Sequence, residues 1–146
     1  MKIIIKDVAP GEEETVVFSL NNITSKVSRA INILKSPEDL TLTVFEEKKA
    51  MLLPVTEIFY IESVDSKTFV YAQDALYSSK YRLYELEEQL EGGEFLKASK
   101  QMLINLRKVK SVSPYGGGRF EAVFTNEEKV IISRQYVAEL KARFGL

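Results

Sequence analysis

The sequence predicts a mainly β protein with a few short helices, an α+β arrangement of antiparallel strands. Three observations lead there. Short runs of β-branched, aromatic and aliphatic residues recur along the chain, bounded by polar or Gly/Pro turns. The connections between most of them are shorter than the dozen or so residues a parallel crossover needs. Helical periodicity is confined to three short stretches.

The elements follow in order. Lys2–Lys6 is rich in Ile and Thr15–Leu20 is β-branched and aromatic, so two strands are expected around a Pro10-Gly11 turn. The period then changes. Ile23, Val27, Ala30, Ile31 and Leu34 fall on one helical stripe, Thr24 or Ser25 is placed to cap its start, and Ser36-Pro37 stops it. Residues 1–45 thus read as a small β-α extension serving dimerisation or regulation, and 46–146 as the principal domain.

Strands are expected at Leu40–Glu46, Ala50–Pro54, Glu57–Ser63 and Thr68–Gln73, with Glu46-Glu47-Lys48-Lys49 as a hairpin turn. Ser78 or Ser79 precedes a helix that carries Leu83, Leu86 and Leu90 on one face and Glu85, Glu87, Glu88 and Glu91 outward; Gly92-Gly93 closes it. Phe95–Ser99 reads as a strand and Lys100–Leu106 is ambiguous. Lys108–Ser113, Arg119–Thr125 and Lys129–Ser133 are further strands, and Tyr136, Val137, Leu140 and Phe144 mark a terminal helix. Pro114–Gly118 is a hairpin, not a phosphate loop, because the glycines lead into a strand and no Gly-Lys-Ser/Thr follows.

Composition removes many function classes. The chain has no histidine and no cysteine, so the usual zinc sites, Cys-His nucleophiles and Ser-His-Asp triads are unavailable, and no disulfide can form. No carboxylate cluster converges, since helical spacing spreads the glutamates. Neither catalysis, a metal nor another cofactor is expected. With no apolar run long enough to cross a bilayer, and an N-terminus charged too early for a signal peptide, a cytoplasmic location is expected.

Charge is unevenly placed. Residues 1–94 hold 10 Lys/Arg against 17 Asp/Glu, while 95–146 hold 10 against 4. Phe95–Phe120 has six basic residues and no acidic one. A concentrated positive region suits a polyanion, because each neutralised phosphate releases condensed counterions.

Four segments carry a resemblance: Ile58–Ser63 followed by Lys67–Tyr71; Leu83–Leu90; Phe95–Leu106; and Val130–Leu140. In this order and spacing they resemble the LytTR family of bacterial DNA-binding domains over roughly residues 50–146. The chain is most similar to stand-alone members with a short N-terminal extension in place of a receiver domain. The resemblance implies elongated antiparallel sheets with a short helix, and duplex DNA bound through inter-strand loops entering successive major grooves.

The resemblance is carried over residue by residue. The loop Ser63–Phe69 matches the first contact region, with Lys67 and Thr68 expected at its tip, Lys67 toward phosphate and Thr68 toward a base. Ser99-Lys100-Gln101 matches the second, with Gln101 suited to adenine and Lys100 to guanine; a histidine common in the family is absent. Ser133-Arg134-Gln135-Tyr136 matches the third, with Gln135 in place of a second arginine. Asn105 reads mainly as a structural amide fixing the turn that presents Lys100, with direct DNA contact as the other reading. Lys97, Arg107, Lys108 and Arg119 would tune affinity, although Arg107, Lys108 and Lys110 are also readable as solvated strand residues.

Together these imply a sequence-specific transcriptional regulator, bacterial and related to the response regulators, dimeric on repeated half-sites. A regulatory membrane protein is a further implied partner, and no small-molecule substrate is. The alternative is a protein-interaction module or antirepressor that acts through its acidic N-terminal part, with only non-specific DNA affinity.

Overall fold

A computed structural model describes residues 1–146, apart from the side chain of residue 37. Ten strands form two antiparallel sheets. They are β1 (Thr41–Glu46), β2 (Lys49–Pro54), β3 (Ile58–Val64), β4 (Lys67–Ala72), β5 (Leu76–Ser79), β6 (Phe95–Ser99), β7 (Met102–Asn105), β8 (Val109–Gly116), β9 (Arg119–Phe124) and β10 (Lys129–Ile132). Three α-helices accompany them: α1 (Ser25–Leu34), α2 (Leu83–Gln89) and α3 (Val137–Phe144). The larger sheet has the order β2-β1-β5-β4-β3-β7-β6 and the smaller β10-β9-β8.

Two cores lie on opposite faces of the larger sheet's centre. Ile58, Ile61, Val70 and Leu103 meet Leu83, Leu86 and Leu90 of α2 on one side. Phe59, Leu96, Ala98 and Ile104 meet Ala122, Phe124, Ile132, Val137 and Leu140 of the smaller sheet and α3 on the other. β7 is therefore buried on both faces through successive residues, Leu103 and Ile104. A strand buried on both faces has no alternation to read, which is why Lys100–Leu106 is ambiguous in sequence.

The mainly antiparallel architecture agrees with the sequence reading, with instructive differences. Thr24 does cap α1, its Oγ1 accepting from the Val27 amide at 3.3 Å. The strands expected at Lys2–Lys6 and Thr15–Leu20 do not form: among the described residues no strand precedes Thr41. The turn between them does form, with Glu12 N–H donating to Ala9 O at 3.0 Å and Gly11 at φ +90°. A two-stranded hairpin with no third strand is marginal. Ser78 and Ser79 are not a helix cap; they end β5, a strand too short to signal itself. Glu85 instead accepts from the Arg82 amide at the start of α2. β1 pairs with both β2 and β5, so residue 45 lies inside a strand of the larger sheet.

Candidate nucleic-acid interface

Strand register places four turns at one end of the molecule. β3 runs toward Val64 and β4 returns from Lys67. β7 is antiparallel to β3 with Glu62 opposite Met102, so the β6–β7 turn at Lys100-Gln101 lies beside the β3–β4 turn. Ser63 N–H donates to Gln101 O at 2.8 Å and ties the two turns together. Ser133 N–H donates to Ala98 O at 2.7 Å, which brings the segment after β10 alongside β6. Because Ile132 pairs with Phe120, the β8–β9 turn belongs to the same end.

Each turn has a local reason. The β3–β4 turn is a two-residue hairpin with Asp65 at φ +49° and Ser66 at φ +64°. That is the hand that matches the twist of paired strands. In the β6–β7 turn, Ser99 Oγ accepts from the Gln101 amide at 3.3 Å. The backbone of Gln101 is thereby held while its side-chain amide stays exposed. In the β8–β9 turn, Gly116, Gly117 and Gly118 all have positive φ. A Cβ on Gly118 would lie 2.9 Å from Arg134 Cδ, so the arginine's stem runs over a bare glycine. Arg119 donates to Gly116 O at 3.2 Å and its guanidinium centre lies 5.0 Å from the Tyr115 ring.

The exposed end therefore carries Lys67, Lys100, Gln101, Arg119, Arg134 and Gln135. Among the described residues none of its four cations is in an ion pair. Ser99 is half-buried and positions its turn. A shallow depression between the tips is lined by Ser63, Ser66, Arg82, Tyr84, Lys97 and Lys100. Arg82 and Tyr84 lie outside the loops that sequence reading matched to contact regions, whereas Ser66 lies within the first of them. Arg82 follows β5, and without that strand the sequence offers no reason to bring it near the tips.

Several expected site residues are elsewhere or otherwise engaged. Thr68 is not at the tip, which Asp65 and Ser66 form; it sits on β4, 4% exposed, beneath the depression. Asn105 is 2% exposed, and its amide donates to Ile58 O at 2.8 Å while its oxygen accepts from Arg107 N–H at 3.1 Å. With both ends of the amide committed it cannot read a base. Nor does it fix the turn of Lys100, which is at the other end of β7.

Arg107 and Lys108 follow that far end and do not join the tips. Arg107 pairs with Glu38 at 3.7 Å, and Lys108 lies 5.1 Å from the Phe59 ring. The Glu38 carboxyl is held below its usual range, first by the Ser36 hydroxyl, then by its own backbone amide and by Arg107. Lys110 pairs with Glu127 at 2.6 Å. Lys97 lines the depression but pairs with Glu87 at 3.4 Å and lies 5.9 Å from the Tyr136 ring. Among the described residues no carboxylate cluster could hold a metal, and no helix is long and apolar enough to cross a membrane.

Comparisons with known proteins bear on the fold and the family. Sensory transduction protein LytT of Enterococcus faecalis is 22% identical over 140 residues, which cover 94% of this chain and 58% of that protein. LytT of Bacillus subtilis is 24% identical over 137 residues, 90% of this chain and 56% of that protein. Transcriptional regulatory protein YpdB of Escherichia coli K12 is 22% identical over 105 residues, 71% and 43% respectively. The chain spans about half the length of these curated relatives. Among solved structures, the LytTr DNA-binding domain of a Bacillus cereus response regulator superposes with a TM-score of 0.68 at 24% identity, covering 73% of this chain and 97% of that one. The sequence model of the LytTr DNA-binding domain matches residues 48–145, and the chain belongs to that family of DNA-binding domains.

Proposed function

We propose that this protein is a transcriptional regulator that binds duplex DNA in a sequence-specific manner through the end of the molecule bearing the four turns. The observation that carries the reading is their convergence. Lys67, Lys100, Arg119 and Arg134 come from four separate turns, are free of ion pairs among the described residues, and are held in register by the Ser63–Gln101 and Ser133–Ala98 hydrogen bonds.

A rigid end with cations at several points can grip phosphates while side chains at its turns enter a major groove about 12 Å wide. Lys100 is suited to guanine O6/N7, and Gln101 and Gln135 to the donor-acceptor edge of adenine. Arg134 offers a charge-assisted fork for guanine or phosphate. Lys67 and Arg119 flank them toward phosphates. Two copies on half-sites about one helical turn apart would present two such ends to one face of the duplex. Residues 1–40 would serve assembly or regulation, and the protein would act in the cytoplasm, where bacterial DNA resides.

The test is competitive selection from a randomised duplex library at about 0.15 M salt, where screening weakens non-specific binding. Enrichment of a paired motif is expected. No enrichment would reduce the basic end to a non-specific surface and favour a module acting through protein contacts.

A further inference from the structure

The depression between the turns holds about 320 Å³, and its polar lining is chemically one-sided. Three cations, Arg82, Lys97 and Lys100, surround three hydroxyls, Ser63, Ser66 and Thr68, and among the described residues no carboxylate joins them. Lys97 is held 3.4 Å from Glu87, whereas neither Arg82 nor Lys100 is in an ion pair among the described residues. Thr68 is the unusual member. It is 4% exposed, yet among the described residues no side-chain hydrogen bond engages its hydroxyl, and no buried side-chain polar atom is sealed without a partner. The hydroxyl therefore opens onto the depression, as a donor in its floor.

Strand register assembles the set. Ser63 and Thr68 stand opposite each other on β3 and β4, and Thr68 stands opposite Ser79 on β5. The chain then bends: Tyr81 N–H donates to Ser79 Oγ at 3.1 Å, and Arg82 N–H donates to Glu85 Oε1 at 3.1 Å. Both bonds fix the backbone that carries Arg82. In the sheet order, Arg82 comes from the β5 side of the β3–β4 hairpin and Lys100 from its β7 side.

We propose that the depression is a seat for one phosphate group, held by the Arg82 guanidinium and the Thr68 and Ser66 hydroxyls, with Lys100 at the rim adding positive potential. The cations select an anion. Hydroxyl donors arriving from other directions suit a tetrahedral oxyanion better than a flat carboxylate, which a guanidinium fork alone satisfies. The position among the turns makes the DNA backbone the nearest source, and this contact would set the register in which Lys100 and Gln101 meet base edges. A free phosphate ester offers the same chemistry. The inference rests on the proposed DNA binding for the first source only.

The test uses the full chain. Arg82 is exposed, so Arg82→Ala should leave thermal unfolding unchanged while lowering affinity about tenfold for the selected duplex and a random one alike. Thr68→Val, which removes only the hydroxyl, should lower both about threefold. On the selected site, a neutral methylphosphonate replacing one phosphate at a time should cost the wild-type protein about tenfold at one position per copy, and should cost Arg82→Ala nothing further there. A free source is read without DNA: inorganic phosphate at constant ionic strength would shift the Ser66 and Thr68 amide resonances saturably, an effect absent in Arg82→Ala, while duplex affinity ignores the substitution. Unchanged duplex affinity together with no saturable phosphate shift would overturn the seat. A loss confined to the selected duplex would overturn it too, by making Arg82 a base reader. If no motif is selected but the loss on random duplex persists, sequence reading fails and the phosphate seat stands.

Discussion

At the scale of single residues, the exposed end divides into side chains proposed to contact DNA and side chains that position them. Lys100 has no competing partner among the described residues, so Lys100→Ala should weaken binding to the selected site by roughly 1–3 kcal/mol, with a smaller loss on random duplex. Titration of both DNAs by fluorescence anisotropy checks this; equal losses would make Lys100 a phosphate contact only. Gly118 tests positioning. A methyl group there meets Arg134 Cδ and is strained at φ +79°, so Gly118→Ala should weaken binding by displacing the arginine. In a double-mutant cycle with Arg134→Ala the two losses should not add. Asn105 is a different kind of residue. Asn105→Ala would strip partners from the buried Ile58 carbonyl and the Arg107 amide, at a cost of about 1–3 kcal/mol in stability by chemical denaturation. Sequence reading recognised Asn105 as mainly structural, but only the fold showed that its amide is used at the end of β7 remote from Lys100.

At the scale of elements, β3 and β4 carry the aromatic pair that stiffens the sheet behind the first turn. Tyr60 and Tyr71 stack with ring centroids 4.3 Å apart, and Tyr60 also lies 5.7 Å from Phe124. Burial, with Glu128 close behind, pushes the Tyr60 hydroxyl up to about 12; burial and Glu62 raise Tyr71 as well. The sign follows from which state ionises first. Above pH ~10 the unfolded chain loses these protons while the native chain keeps them. Stability should therefore hold below that pH and decline up to about 12. Tyrosinate absorbance of the native protein should show two late-titrating groups, and Tyr60→Phe should remove one. The β1–β2 and β8–β9 hairpins were legible because their turn residues are local: Glu47 and Gly117 sit at positive φ where the sequence changes from strand to polar or Gly residues. The β3–β4 connection was legible too, but its tip is Asp65-Ser66 and not Lys67-Thr68. β5 and β7 were not. One is too short to show a period, and the other is buried on both faces.

At the scale of the whole molecule, the basic residues of the second half do not act as one patch. Lys67, Lys100, Arg119 and Arg134 gather at one end, while Arg107 and Lys110 are paired with carboxylates away from it. If the four unpaired turn cations each neutralise one phosphate per protomer, log affinity should fall with a slope near −3.6 against log salt. Arg134→Ala should reduce its magnitude by about 0.9, whereas Arg107→Ala should leave it unchanged. A slope insensitive to Arg134 but sensitive to Arg107 would put the DNA on the other end of the sheet. The antiparallel strand class, the main turns and the segments resembling the family were determined by sequence alone, because hydrophobic period, turn chemistry and local spacing are written in neighbouring residues. Which cations are free, that Thr68 and Asn105 are buried, and that Arg82 joins the tips were decided only by tertiary structure. Those properties depend on strand order and register, which bring residues distant in the chain into contact and neutralise some charges while leaving others exposed.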